Sequence, residues 1–262
     1  MPSLSATPDE RARGGVRIAM WSGPRNISTA MMRAFENRPD TAVVDEPFYA
    51  AYLARTGLDH PMRAEVLAAQ PTDPNAVVAH LLGPVPGGKP IFYQKHMTHH
   101  MLPSFNCDWA ARCRNAFLIR TPYEVLASYT EKRATVTLAD IGVVQQRELF
   151  ERECDRLGRA PPVIEARDVL ADPRGMLSAL CAALGIAFSD RMLAWPAGRR
   201  ASDGVWAPAW YDAVERSTGF ARPRVARRRL ALSSGLQAIA AAAQPHYERL
   251  ARFALSAIAP RS

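Results

Sequence analysis

Two stretches of the sequence place an arginine beside hydroxyl side chains at the end of an apolar run. In the first, residues 16–21 lead into Ser22-Gly23-Pro24-Arg25-Asn26-Ile27-Ser28-Thr29, after which Ile27, Ala30, Met31, Ala34 and Phe35 recur at helical spacing. A loop that leaves the carboxyl end of a parallel strand and opens a helix presents unpaired backbone N–H groups and the positive end of the helix dipole, and so forms an anion site. Gly23 permits close backbone approach, Arg25 adds a fixed charge, and Ser28 and Thr29 supply hydroxyl donors suited to phosphate or sulfate oxygens. In the second stretch, residues 115–119 deliver Arg120 at a strand end. Thr121-Pro122-Tyr123-Glu124 then has the pattern of a capping box with Pro in the first helical position. Ser128, two turns further on, returns to a similar face and joins Arg120 as a second candidate anion site.

The elements that must position these groups follow from periodicity. Short β-like runs at 16–21, 41–44, 90–94, 115–119 and 162–165 alternate with longer helix-compatible stretches, which predicts an α/β fold with a mainly parallel central sheet. Helices are expected over 75–82, over 137–157, over 173–185 with Gly185 at the end, and in two pieces within 227–259 broken near Pro245. Residues 1–15 are polar, punctuated by Gly and Pro, and read as a flexible tail before a single domain over 16–262.

Composition narrows the class. The 262 residues suffice for a full core, and the formal charge of +8 points to acidic partners: a phosphorylated cofactor, an anionic substrate or nucleic acid. Four cysteines in a chain of this length do not form a disulfide framework, and a reduced, cytoplasmic protein is expected. No apolar run is long enough to span a bilayer and no signal-peptide pattern opens the chain. Oligomeric state is not legible.

One nucleotide-binding pattern is a decoy. "GPVPGGKP" at 83–90 fits G-x-x-x-x-G-K, but Pro90 stands where a magnesium-binding Ser or Thr belongs, and the segment precedes a strand instead of opening a helix. His96, His99, His100, Cys107 and Cys113 are metal-competent, yet they lack the C-x-x-C or H-E-x-x-H spacing of a zinc site, and no metal is expected.

Together, the two arginine stretches resemble the sulfotransferase family, which uses 3′-phosphoadenosine 5′-phosphosulfate (PAPS). Pro24-Arg25-Asn26-Ile27-Ser28-Thr29 occupies the pattern of that family's 5′-phosphosulfate loop, and Arg120 with Ser128 matches its 3′-phosphate site. The resemblance implies a three-layer, P-loop-type fold, metal-free sulfuryl transfer, PAPS as co-substrate and a small-molecule acceptor bearing a hydroxyl or amine. It departs at Asn26 and Ile27, where the family has small Ser, Thr or Gly. Sulfuryl transfer needs cations on the leaving phosphate and a base for the acceptor. Arg25 suits the first role, with Lys95 of "PIFYQKHMTHHM" as a second cation. Glu46 of "VVDEPFY" is the first candidate base, because similar members place a catalytic Glu after the second strand. His99 is the next, lying on the Lys95 side if extended alternation continues, ahead of His96 and His100.

Two arginine-rich segments lie later. "FARPRVARRRL" at 220–230 reads as a solvated face, which leaves nucleic-acid binding unsupported. The aromatic segment 195–214, with Trp195, Trp206, Trp210 and Tyr211, resembles the family's late cofactor loop, which makes Arg199 and Arg200 candidate 3′-phosphate ligands, or else it lines the acceptor pocket. The rival classes are a P-loop-fold nucleotide-binding protein or small-molecule kinase, and a catalytically silent sulfotransferase-like module.

Overall fold

A computed structural model describes residues 14–130, 135–221 and 232–258. The order of elements is β1 (Val16–Ser22), α1 (Ser28–Glu36), β2 (Thr41–Asp45), α2 (Tyr49–Thr56), α3 (Arg63–Ala69), α4 (Pro74–Leu82), β3 (Ile91–Met97), β4 (Arg114–Ile119) and α5 (Pro122–Tyr129). There follow α6 (Val143–Leu157), β5 (Val163–Glu165), α7 (Ala166–Ala171), α8 (Pro173–Ala183), the short helices α9 (Ala207–Trp210) and α10 (Asp212–Glu215), and α11 (Ser234–Ala251). The five strands pair in the order β2-β3-β1-β4-β5, and every pairing is parallel.

Burial on both faces explains the run of apolar residues in β1, whose seven positions are all buried. Ile18 and Met20 pack on one face with Met31, Phe35, Tyr93 and Leu180, whereas Ala19 and Trp21 pack on the other with Phe48, Trp109, Phe117 and Phe150. This period of two makes β1 the middle layer of three. The chain leaves β1 for strands on one side of it and returns later to β4 on the other. The switch point therefore lies at the carboxyl end of β1, where parallel α/β sheets open a crevice.

Several boundaries differ from expectation. Residues 138–142 form turns before α6 starts, since Gly142 adopts φ 63° at its N-cap. Helix α11 continues through Pro245 as one element instead of breaking there. "GPVPGGKP" is a loop with a single tight turn at Pro86–Gly88 ahead of β3. Of the expected tail, only Gly14 and Gly15 are among the described residues, and residues 222–231 of the arginine-rich segment lie outside them.

His96 belongs to this core. Its ring stacks on Trp21 at 4.5 Å, Nε2 lies 3.2 Å from Gln94 Oε1, and burial pushes its pKa down from 6.5 to about 3. The unfolded chain therefore takes up a proton near pH 6.5 that the folded one refuses until about 3, so stability falls as pH is lowered through that window. His96→Phe should lose stability less steeply between pH 6.5 and 4 in urea titrations; parallel slopes would count against this account.

Candidate functional site

The loop after β1 is held in an unusual backbone conformation. Arg25 and Ile27 have φ of 57° and 45°, in the left-handed region that a β-branched side chain rarely enters, while Asn26 between them does not. Alternation of this kind turns successive N–H groups toward one side, and the first turn of α1 adds N–H groups that lack intrahelical partners. Tertiary contacts hold the strain: Asn26 Nδ2 donates to the Leu118 carbonyl at the end of β4 (2.7 Å), and Arg120 Nη1 donates to the Arg25 carbonyl (2.7 Å). A Cβ on Gly23 would stand 2.6 Å from the Ile141 carbonyl oxygen, so this position admits only glycine. Asn26 therefore ties the loop to the neighbouring strand.

The two candidate anion sites meet. Arg25 Nε donates to Ser128 Oγ at 3.0 Å, and Arg120 Nε lies 3.5 Å from Glu124 Oε2. Thr121 Oγ1 donates to Glu124 Oε2 at 3.0 Å, so these two residues pair with each other, and Thr121 makes no side-chain cap to the helix backbone. Pro122 occupies the first turn as expected.

At the ends of β2 and β3 stands a largely buried cluster of acid, ammonium and phenol. Lys95 Nζ donates to Asp45 Oδ1 (2.8 Å), Glu46 Oε1 (2.6 Å) and the Tyr211 hydroxyl (2.7 Å). Glu46 leaves β2 with φ 41°, its N–H bonded to the Lys95 carbonyl at 2.9 Å, and this turn brings its carboxylate onto Lys95. Burial pushes the Glu46 carboxyl above its usual range; Lys95 pulls against that and Asp45 adds to it. Burial alone would lower the Lys95 ammonium, but Asp45 and Glu46 outweigh it and hold the ammonium well above its ordinary value.

The histidines divide. Strand β3 ends at Met97, and Thr98–His100 forms one tight turn, so extended alternation stops before His99. His99 nonetheless lines the site, as do His100 and His60, whereas His96 is in the core. His100 stacks on Tyr49 at 4.6 Å and on Tyr52 at 4.9 Å, and burial with neighbouring imidazoles and Lys95 holds it well below 6.5. Among the described residues no group of histidine, cysteine and carboxylate side chains is arranged to hold a metal ion.

One cavity of about 570 Å³ gathers these parts. Pro24, Arg25, Asn26, Ile27, Ser28, Thr29, Arg120 and Ser128 line it, and so do Glu46, Lys95 and His99. Gly23, Arg199 and Arg200 are not in its lining. Arg199 Nε lies 3.9 Å from Glu215 Oε1, while Arg200 donates its backbone N–H to Asp203 Oδ2 (2.8 Å) and Nη2 to the Pro196 carbonyl (3.2 Å), so these two arginines serve the late segment's own turns. Trp195 is a core residue, but Trp206, Trp210 and Tyr211 reach the cavity. Sequence reasoning assigned no role to Asp45, Tyr49 or His60. Asp45 had a signal, a second carboxylate beside Glu46 at a strand end; the other two become neighbours of the site only through the packing of α2.

Known proteins share the family and the fold of this chain. The family described as "Sulfotransferase domain" matches residues 16–253. Two Arabidopsis thaliana proteins, branched-chain-amino-acid aminotransferase-like proteins 1 and 2, are 38% and 35% identical to the chain over 82% and 79% of its length. The match spans only 38% and 36% of those longer relatives. Among solved structures, the chain resembles the sulfotransferase domain of the Synechococcus PCC 7002 olefin synthase (TM-score 0.53, 17% identity, 93% of this chain and 98% of that one). It also resembles the sulfotransferase domain of the curacin biosynthetic pathway (TM-score 0.51, 16% identity, 87% and 97%) and a sulfotransferase from Alicyclobacillus acidocaldarius (TM-score 0.50, 13% identity, 92% and 97%). Such low identities speak to the fold alone, a parallel sheet flanked by helices, but the family match runs from the first strand past the last helix. The chain belongs to the sulfotransferase domain family.

Proposed function

We propose that this protein transfers a sulfuryl group from PAPS to the hydroxyl or amine of a small-molecule acceptor. The observation that carries the reading is one cavity lined by two arginines, three hydroxyl side chains and a half-buried carboxylate. The loop 24–29, with Arg25, Ser28 and Thr29, would hold the 5′-phosphosulfate, and Arg120 with Ser128 the 3′-phosphate. PAPS supplies the activated sulfuryl group, Arg25 opposes charge growing on the leaving phosphate, and Glu46 accepts the acceptor's proton. A kinase is disfavoured because the only G-x-x-x-x-G-K run sits in a loop ahead of β3. A silent binding module is the second reading, favoured by Ile27, whose bulky side chain lines the cavity. Sulfate transfer from labelled PAPS to a metabolite extract separates the two. No helix among the described residues is long and apolar enough to cross a membrane, and the four free cysteines accord with a reducing compartment such as the cytoplasm.

Calorimetry with 3′,5′-adenosine bisphosphate and with adenosine 5′-phosphate, both without magnesium, tests the cofactor half. Arg120→Ala should weaken the bisphosphate by roughly 2 to 5 kcal/mol, since it removes one partner of a charge pair. Because Arg120 also braces the Arg25 carbonyl, the monophosphate should lose about 1 kcal/mol. Equal losses for the two ligands would remove the 3′-phosphate assignment.

A further inference from the structure

An ammonium carries three protons, and all three of Lys95's are taken: by Asp45 Oδ1, Glu46 Oε1 and the Tyr211 hydroxyl, at 2.6 to 2.8 Å. Tyr211 and Asp45 are equally committed. The Tyr211 hydroxyl donates its one proton to Asp45 Oδ2 (2.7 Å) and accepts from Trp206 Nε1 (3.1 Å) as well as from Lys95. Asp45 Oδ2 accepts in addition from the Gly204 N–H at 3.1 Å. The network is closed across β2, β3 and the segment 204–211, and the Lys95 side chain is 1% exposed. Turning Lys95 toward a phosphate would leave two adjacent carboxylates, one of them buried, without a counter-charge, which is more costly than leaving the pair intact.

We propose that Tyr211 and Asp45 are positioning residues that hold Lys95 as the counter-ion of Glu46, so that Lys95 acts on the base and not on the leaving phosphate. The inference rests on Glu46 being the base of the proposed sulfuryl transfer, and it leaves the leaving phosphate to Arg25 and the backbone N–H groups of the loop 24–29. The groups acting on Glu46 are Asp45 beside it at the end of β2, Lys95 on β3 and Tyr211 from the late segment; the buried phenol of Tyr93 neighbours Lys95 and Asp45, and His99 and His100 line the same cavity. His60 is hydrogen-bonded to the Tyr49 hydroxyl, and Arg25 and Arg120 line the same cavity. Of these, Lys95 is the positive charge in direct contact with the carboxylate. Tyr211 is the neutral group that orients it.

The Glu46 carboxyl can be followed by carbon-13 NMR in the full chain labelled at glutamate carboxyls, its resonance identified by its loss in Glu46→Gln. Tyr211→Phe should move the Glu46 titration upward by about half to one pH unit, because it removes a hydroxyl that donates to the charged carboxylates and loosens the hold on Lys95. Lys95→Met should move it upward by more than about one unit while leaving the dissociation constant of 3′,5′-adenosine bisphosphate within roughly threefold. Should Lys95→Met fail to fold, Tyr211→Phe keeps both carboxylates paired and carries the test. An unmoved Glu46 titration in Tyr211→Phe overturns the proposal, as does a tenfold or greater loss of bisphosphate affinity in Lys95→Met. Neither readout uses turnover, so a chain that transfers no sulfate would sink the sulfuryl-transfer reading while the titration still decides the role of Lys95.

Discussion

Replacing Glu46 with glutamine is expected to cut turnover on a verified acceptor by roughly 10² to 10⁴ while leaving 3′,5′-adenosine bisphosphate affinity nearly intact. The substitution keeps size and one hydrogen-bond acceptor for Lys95, which retains Asp45 and Tyr211, so the local fold has no reason to collapse. What disappears is the proton acceptor. Burial holds this carboxyl above 4.5, which makes it a stronger base than an exposed glutamate and places the acidic limb of the wild-type rate profile above the ordinary carboxylate range. The contrast with Arg25→Ala is diagnostic. A fixed cation meets ground-state and transition-state charge alike, so that variant should lose cofactor affinity and turnover together. If Glu46→Gln keeps full turnover and His99→Ala abolishes it at unchanged cofactor affinity, the base belongs to the turn after β3.

The second large effect concerns the support of the site. Arg33, on the buried face of α1, donates from Nη2 to Asp203 Oδ2 at 2.7 Å, and both side chains are 0% exposed. Asp203→Ala would leave a guanidinium buried with only Glu36, at 3.3 Å, as counter-charge, and should destabilise the protein by about 3 to 5 kcal/mol in urea denaturation. Joint replacement by Arg33→Met and Asp203→Leu should recover most of that loss, because no buried guanidinium remains and Glu36, 20% exposed, stays in contact with solvent. A single-variant loss below about 1 kcal/mol would contradict this account. The pair matters beyond stability. It fixes the residue next to Gly204, whose N–H reaches Asp45, to the helix that opens from the anion loop. A loosened pair should therefore be felt at Tyr211 and Lys95 before the fold is lost.

Local chemistry was enough for much of this protein. The alternation of short apolar runs with helical stretches, the loop 24–29 at the end of the first run, and Arg120 with Ser128 at the end of the fourth are all properties of adjacent residues. Periodicity and turn chemistry act over a few residues, so the parallel α/β architecture was legible without coordinates. Where prediction missed, long-range packing had overridden a local rule. Pro245 does not break α11, Gly142 delays α6, and the tight turn at Thr98–His100 ends the alternation that was to carry His99 onto the side of Lys95.

The partnerships within the site belong to tertiary structure. No spacing rule joins Asn26 to Leu118, Arg25 to Ser128, or Lys95 to Tyr211, because these residues lie far apart in sequence and meet only when β3, β1 and β4 align and the late segment folds back over them. Arg199 and Arg200 show the converse: their charges suited a phosphate, but they are absent from the cavity lining, with the Arg199 guanidinium 3.9 Å from Glu215 and the Arg200 guanidinium on the Pro196 carbonyl. Sequence by itself determined which groups were present and which of them a strand end would expose. Only the folded chain decided which carboxylate was buried against which cation, since desolvation and proximity, the two causes of an altered proton affinity, are both properties of the packed interior.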